Sequence, residues 1–182
     1  MEDFNKTLTP GDIESGIINV VVEIPAGSSD KIEWHRKEAN FQIDRVESSN
    51  FQAPASYGFI PKTLNDDGNE LDVLIIADEP IETGVSLQTR IIGVMKFTDG
   101  GKIDDKIIVV PVDNTNNING INKLSDIPKQ KIDQITYHFS HYKDAVKPNC
   151  TVVGEWADFA TAQNIILESI NRWDNQSSKT AK

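Results

Sequence analysis

Carboxylates are unevenly spread along this chain, and two short stretches concentrate them. One reads Asn65-Asp66-Asp67-Gly68-Asn69-Glu70-Leu71-Asp72, at the entrance to an expected strand. The other reads Asp99-Gly100-Gly101-Lys102-Ile103-Asp104-Asp105-Lys106, at an expected hairpin. Acids alternating with glycines at strand ends can aim several oxygens at one point, and hard divalent cations need such ligands. For either stretch alone the plainer account is turn chemistry, since Asp, Asn and Gly all suit turns. A Ca²⁺ EF-hand loop is excluded, because Leu74 and Lys106 stand where its terminal glutamate would have to be.

Other catalytic templates are missing from the sequence. There is no Gly-rich loop ending in Gly-Lys-Ser/Thr, no His-Glu-x-x-His and no Gly-x-Ser-x-Gly. His35, His138 and His141 have no metal-site spacing with a cysteine. His138 and His141 can share one face of an expected helix, where a helix-surface or subunit-contact role suits them better than a metal. Cys150 has no paired base nearby in sequence and reads as buried or incidental.

The elements that must position these residues follow from hydrophobic period. Ile17 to Ile24 is dense in β-branched residues and predicts a strand ending before Pro25. Lys31 to Trp34 and Phe41 to Val46 read as two more strands, after a turn at Ala26 to Asp30. Leu71 to Ile76, Val85 to Phe97 and Ile107 to Val112 read as further strands, the last two joined around Asp99-Gly100-Gly101. The Asn-rich segment 113–120 reads as a loop. Ser125-Asp126-Ile127-Pro128 then signals a helix start with Pro in the first turn, followed by Ile132, Ile135, Phe139 and Tyr142 at helical spacing. Lys147-Pro148-Asn149 ends that helix. Asp158 can cap a second one, striped by Phe159, Ala162, Ile166, Ile170 and Trp173. Strands first and helices last predict a mainly β, α+β molecule: a twisted barrel or sheet with helices packed outside. The expected organisation is a single domain over residues 1–182, with an N-terminal arm at 1–16 and a frayed polar tail at 174–182.

Composition bounds the function classes. The 182 residues, 38% hydrophobic and 25% charged, can build one core, and no apolar run approaches a membrane span. A net charge of −10 repels nucleic acid and anionic lipid, and no basic cluster overrides it. No nucleic-acid or membrane partner is therefore expected. A single cysteine and an N-terminus without a basic start or apolar stretch suggest a cytoplasmic protein.

Several segments stand out by their order and spacing: Val22-Glu23-Ile24-Pro25, Lys31 with Glu33, Asp44-Arg45, Tyr57-Gly58-Phe59-Ile60-Pro61, Asp67 to Asp72, Asp99 with Asp104 and Lys106, and His141-Tyr142-Lys143-Asp144. Together they resemble the family I inorganic pyrophosphatases, over about Ile17 to Trp173. The resemblance implies a five-stranded, OB-like β-barrel with flanking C-terminal helices. It also implies hydrolysis of pyrophosphate to two phosphates, dependence on several Mg²⁺ ions with Mn²⁺ as a substitute, and a homohexamer. By the same resemblance Asp67, Asp72 and Asp104 bind the tightest Mg²⁺, Asp99 joins Asp104 on another ion, and Glu23 and Glu33 form an acidic rim. Lys31, Arg45, Tyr57, Lys106, Tyr142 and Lys143 hold phosphates, with Lys31 and Tyr57 counted beside position 69 among the catalytic residues. The physics agrees: an acidic protein can bind so highly charged an anion when cations fill the gap between them.

Two positions depart from the family pattern. Asn69 stands where the family places its general base. A carboxamide can orient a water but cannot take its proton at neutral pH. Ala53 stands where the family usually places a tyrosine, a loss of one neutral donor worth on the order of 1 kcal/mol. Two readings stay open: a slowed pyrophosphatase, or a catalytically silent homologue that binds metal and pyrophosphate. An oligonucleotide-binding barrel is a third, opposed by the acidic charge.

Overall fold

The structure is a computed structural model and describes residues 3–48, 51–112 and 120–180. Its elements, in chain order, are α1 (Phe4–Thr7), β1 (Gly11–Asp12), β2 (Ile17–Ile24), β3 (Asp30–His35), β4 (Asn40–Val46), β5 (Ser56–Ile60), β6 (Leu71–Ile75), β7 (Ser86–Asp99), β8 (Lys102–Ile103), β9 (Lys106–Pro111), α2 (Lys129–His141), β10 (Thr151–Ala157) and α3 (Phe159–Thr180).

Five strands close on themselves. β2 pairs with β5, β5 with β6, β6 with β9 and β9 with β7, and β7 returns to β2 from Ile17↔Arg90 to Val21↔Ser86. All these pairings are antiparallel except β6–β9. The molecule is thus an α+β fold built on a closed, mixed five-stranded barrel with the C-terminal helices flanking it. β10 adds to the outside of β7, and β3 with β4 forms a separate hairpin.

Strand alternation explains two apolar layers. Ile18, Val20 and Val22, with Val73 and Ile75, Ile91 and Val94, Ile107 and Val109, come from the barrel strands and fill its interior, against which Ala162 and Ile166 of α3 pack. The intervening residues Leu74, Ile76, Met95, Phe97, Ile108 and Val110 form the second layer with Ile135 and Phe139 of α2. Each fully buried Val or Ile contributes roughly 1.5–3 kcal/mol, so both faces of these strands are strongly specified.

The strands at Ile17–Ile24, Asp30–His35, Asn40–Val46, Leu71–Ile75, Ser86–Asp99 and Lys106–Pro111 overlap the expected ones at 17–24, 31–34, 41–46, 71–76, 85–97 and 107–112. β5 and β10 were not predicted. Tyr57-Gly58-Phe59 is short and carries a glycine, which weakens any strand signal. Gly58 is nevertheless required, because a Cβ there would lie 1.9 Å from the Val21 carbonyl oxygen. β10 has no clean alternation and is bulged between Val153 and Trp156. The expected helix start shifts by a few residues: Leu124–Asp126 is a single 3-10 turn, and Pro128 is the N-cap of α2 rather than part of its first turn. Asp158 does cap α3, its Oδ1 accepting from the Thr161 N–H at 3.0 Å. That helix continues past Asp174 to Thr180, where a frayed tail is expected. The expected loop at 113–120 lies outside the described residues except for Gly120, which sits in a turn.

Candidate active site

At one end of the layer between barrel and α2, apolar residues give way to charged ones around a cavity of about 260 Å³. Alternation aims the strand residues there. Asp72 precedes Leu74 and Ile76 on one face of β6, and Lys106 precedes Ile108 and Val110 on the same face of β9. Tyr57 is the register partner of Leu74. Glu23 reaches the cavity by a bulge: Val22 pairs with Gly58 and Ile24 with Tyr57, leaving Glu23 as the extra residue.

The loop before β6 brings Asp67 and Asn69. Asn65 N–H donates to the Asn69 carbonyl at 2.7 Å, and Gly68 turns the chain with φ +91°, a conformation open to glycine at little cost. The Asn69 carboxamide nitrogen donates to Asp67 Oδ2 at 3.0 Å, and its backbone N–H donates to Oδ1 at 2.9 Å. Asp99 and Asp104 flank the Gly100-Gly101 turn, with the Asp104 N–H donating to the Phe97 carbonyl at 2.9 Å. Tyr142 and Lys143 follow α2 directly, and Lys143 donates to Asp99.

Glu23, Lys31, Glu33, Tyr57, Asp67, Asn69, Asp72, Asp99, Asp104, Lys106, Tyr142 and Lys143 all line this one cavity. Arg45 stands beside it, its guanidinium carbon 5.9 Å from the Tyr142 ring centroid. Arg45 Nε donates to Glu47 at 2.6 Å and Nη1 to Asp44 at 3.0 Å. Its Nη2 is buried with no hydrogen-bond partner among the described residues. Lys31 pairs with Glu33 and lies 3.4 Å from Asp44.

Electrostatics inside the cavity are severe. The buried Lys106 ammonium lies 2.5 Å from Asp72 and 2.7 Å from Asp104. Burial alone would discharge it, but the two carboxylates outweigh burial and hold its pKa above the usual lysine value. Asp104 is raised by burial, with Asp72 adding to the rise and Lys106 opposing it. Burial also pushes Glu23 up to about 8, against the hydrogen bond it accepts from the Trp34 N–H at 2.7 Å. Tyr57 and Tyr142 are both held above the usual phenol value by burial, with nearby carboxylates adding to it. Carboxylates this crowded repel one another and need positive charge between them. The donor set, all carboxylate oxygen, suits a hard divalent cation. Among the described residues no three His, Cys, Asp or Glu side chains are gathered as a finished cage. The position between Asp72 and Asp104 is held by the Lys106 ammonium.

Other lining residues have no role in the expectations from sequence. Glu70 was passed over as part of a turn, although it lines the cavity and is buried. Glu47 also lines it, and its partner Arg45 two residues away was the available signal. His138 stands in the cavity wall, not at the outer surface of α2 where it was expected. Its ring stacks on Tyr142 at 5.4 Å and 11°, and burial pushes its pKa down to about 4. His141 instead stacks on the exposed Tyr137 at 4.5 Å. Ala53 lines the cavity on the side that also holds Phe51, whose ring centroid is 6.3 Å from that of His138.

Comparison with known proteins bears on what this cavity does. Residues 20–174 match the family model described as inorganic pyrophosphatase. The chain is 57% identical over 176 residues to an inorganic pyrophosphatase of Neisseria meningitidis, covering 97% of this chain and 99% of that one. A crystal structure of an inorganic pyrophosphatase from Neisseria gonorrhoeae superposes with a TM-score of 0.92 at 56% identity, covering 94% of this chain and 99% of that chain. The corresponding enzyme from Thermus thermophilus superposes with a TM-score of 0.84 at 30% identity, covering 92% and 97%.

Proposed function

The chain belongs to the family I inorganic pyrophosphatases, and from that premise we propose that its cavity hydrolyses pyrophosphate to two phosphates with Mg²⁺, Asn69 standing in for the usual base. The observation that carries this reading is the meeting of opposed charges. Asp67, Asp72, Asp99 and Asp104 line one cavity with Lys31, Lys106, Lys143, Tyr57 and Tyr142.

The chain's own residues then divide the work. Lys31, Lys106, Lys143 and Arg45 hold phosphate oxygens, and the orphaned Arg45 Nη2 supports this, since an anion's oxygen would satisfy it. Tyr57 and Tyr142 remain protonated and donate from their hydroxyls without adding charge. Asp67, Asp72 and Asp104 hold Mg²⁺, with Asp99, Glu23 and Glu33 around them. When bound, Mg²⁺ neutralises substrate charge and makes water acidic enough to attack near neutral pH. Mn²⁺ serves as a substitute by the same donor chemistry. Asn69 orients the attacking water but leaves its proton to another acceptor, so turnover is slower than with aspartate at that position. A homohexamer in the cytoplasm completes the reading. No described helix is long and apolar enough to cross a membrane.

A second reading has its own observation. The Asn69 carboxamide is engaged by Asp67, which favours a silent homologue that binds metal and pyrophosphate without turning over. Phosphate release from pyrophosphate with Mg²⁺, measured for this chain and for Asn69→Asp, separates the two. Turnover that rises in Asn69→Asp is expected. Silence here with activity in Asn69→Asp establishes the silent homologue, and silence in both overturns the active site itself.

A further inference from the structure

The loop 65–72 is held from outside the cavity by residues with no part in the chemistry described so far. Glu70 lies between Asn69 and Asp72 in sequence, and its carboxylate is 7% exposed with its residue. One oxygen, Oε1, accepts from Arg36 Nε at 2.7 Å and from Asn5 Nδ2 at 2.6 Å. Arg36 also donates from Nη2 to the Gly68 carbonyl at 3.3 Å, so one guanidinium grips the loop on both sides of Asn69. The guanidinium is backed by the Trp173 ring, 4.9 Å from its centroid. Asn5, itself 5% exposed, accepts on Oδ1 from the Lys62 N–H at 2.7 Å. Lys62 needs that anchor, because it holds the left-handed conformation at φ +54° without being glycine.

These contacts come from three distant parts of the chain: the N-terminal arm, the turn after β3 and the far end of α3. None is a generic turn contact. A turn of Asp, Asn and Gly satisfies itself locally, as Asn69 and Asp67 do. A buried carboxylate in such a turn, paired with a guanidinium and an amide from elsewhere, fixes where the turn stands relative to the barrel. Asp67 and Asp72 are attached to either side of that fixed point.

We propose that Asn5 and Arg36, acting through Glu70, are positioning residues that set Asp67 and Asp72 for the metal ion. This rests on the assignment of Asp67 and Asp72 under the proposed function. The grip of Arg36 on both Glu70 and Gly68 fixes the backbone between the two carboxylates, and the Trp173 ring lies against the guanidinium. The N-terminal arm is thereby part of the metal site's support although it reaches no metal ligand itself.

The test uses the full chain and measures Mg²⁺ affinity of the metal-free protein by titration calorimetry, beside thermal stability and kcat and KM for pyrophosphate. Arg36→Met removes the guanidinium and keeps the stem, and Asn5→Ala removes both the donor to Glu70 and the acceptor for the Lys62 N–H. Both are expected to weaken Mg²⁺ binding about 10- to 100-fold, as loss of supporting contacts around metal ligands does elsewhere. kcat at fixed low Mg²⁺ falls, recovers as Mg²⁺ is raised, and KM for pyrophosphate barely changes. Arg36→Lys, which keeps a donor for Glu70, recovers part of the affinity. Lower melting temperatures with Mg²⁺ affinity unchanged would mean a purely structural role and overturn the proposal. If Arg36→Met does not fold, Asn5→Ala decides by the same criterion. Failure of the underlying assignment shows differently, as an unsubstituted chain that binds no Mg²⁺ in the same titration.

Discussion

Lys106 stands where Asp72 and Asp104 need a positive charge, and under the proposed function that single ammonium joins the metal-binding acids to the phosphate-binding bases. Lys106→Met keeps the shape and leaves two carboxylates without their cation. The metal-free protein is then expected to lose about 3–5 kcal/mol of stability, measurable by urea unfolding. The same substitution removes a competitor for Mg²⁺, so Mg²⁺ affinity by calorimetry should rise while kcat/KM for pyrophosphate falls. At this scale the acids of the two turns were legible because carboxylates and glycines stand together in sequence. Glu70 and His138 were not. Glu70 shows its role only through Arg36 and Asn5, thirty-odd and more than sixty residues away in sequence. His138 lies three positions before His141, and sequence alone could not tell which one α2 turns toward the cavity.

Gly58 makes a close backbone approach inside the barrel, and Asp158 caps α3. Gly58 passes so near Val21 that Gly58→Ala drives a methyl into a backbone carbonyl. A loss of about 3 kcal/mol or more is expected by urea unfolding, since a well-packed backbone cannot yield as a side chain does. Asp158 caps α3, and its pKa is lowered by the hydrogen bonds it accepts from the Thr161 N–H and hydroxyl. Because the folded value lies below the unfolded one, this stabilisation is present above the unfolded pKa and is lost as pH falls through the folded one. The melting-temperature gap between the unsubstituted chain and Asp158→Ala should therefore be full at neutral pH and close on acidification. The strands dense in Val and Ile were readable because period and propensity agree there. β5 and β10 were hidden because each is specified by its neighbours: β5 by the space Gly58 leaves for Val21, β10 by the edge of β7 that it joins.

A molecule with a net charge of −10 that places several of its acids around one cavity carries repulsion that its own lysines only partly offset. Mg²⁺ binding should stabilise the whole fold, by about 2.7 kcal/mol at a hundredfold excess over its dissociation constant. Differential scanning calorimetry should show the melting temperature rising with Mg²⁺ and falling with a chelator. A midpoint indifferent to Mg²⁺ would contradict the assignment of the acids as ligands.

The return of β2 to β7 also has a consequence for how the chain is made. Synthesis delivers β2 long before its partner, and β9 must be inserted between β6 and β7 as well, so no closed cylinder can exist until Pro111 has emerged. Even then the interior lacks Ala162 and Ile166, which arrive with the last helix. A nascent chain arrested between these two points carries all five barrel strands with part of their interior still uncovered, the kind of surface that chaperones hold.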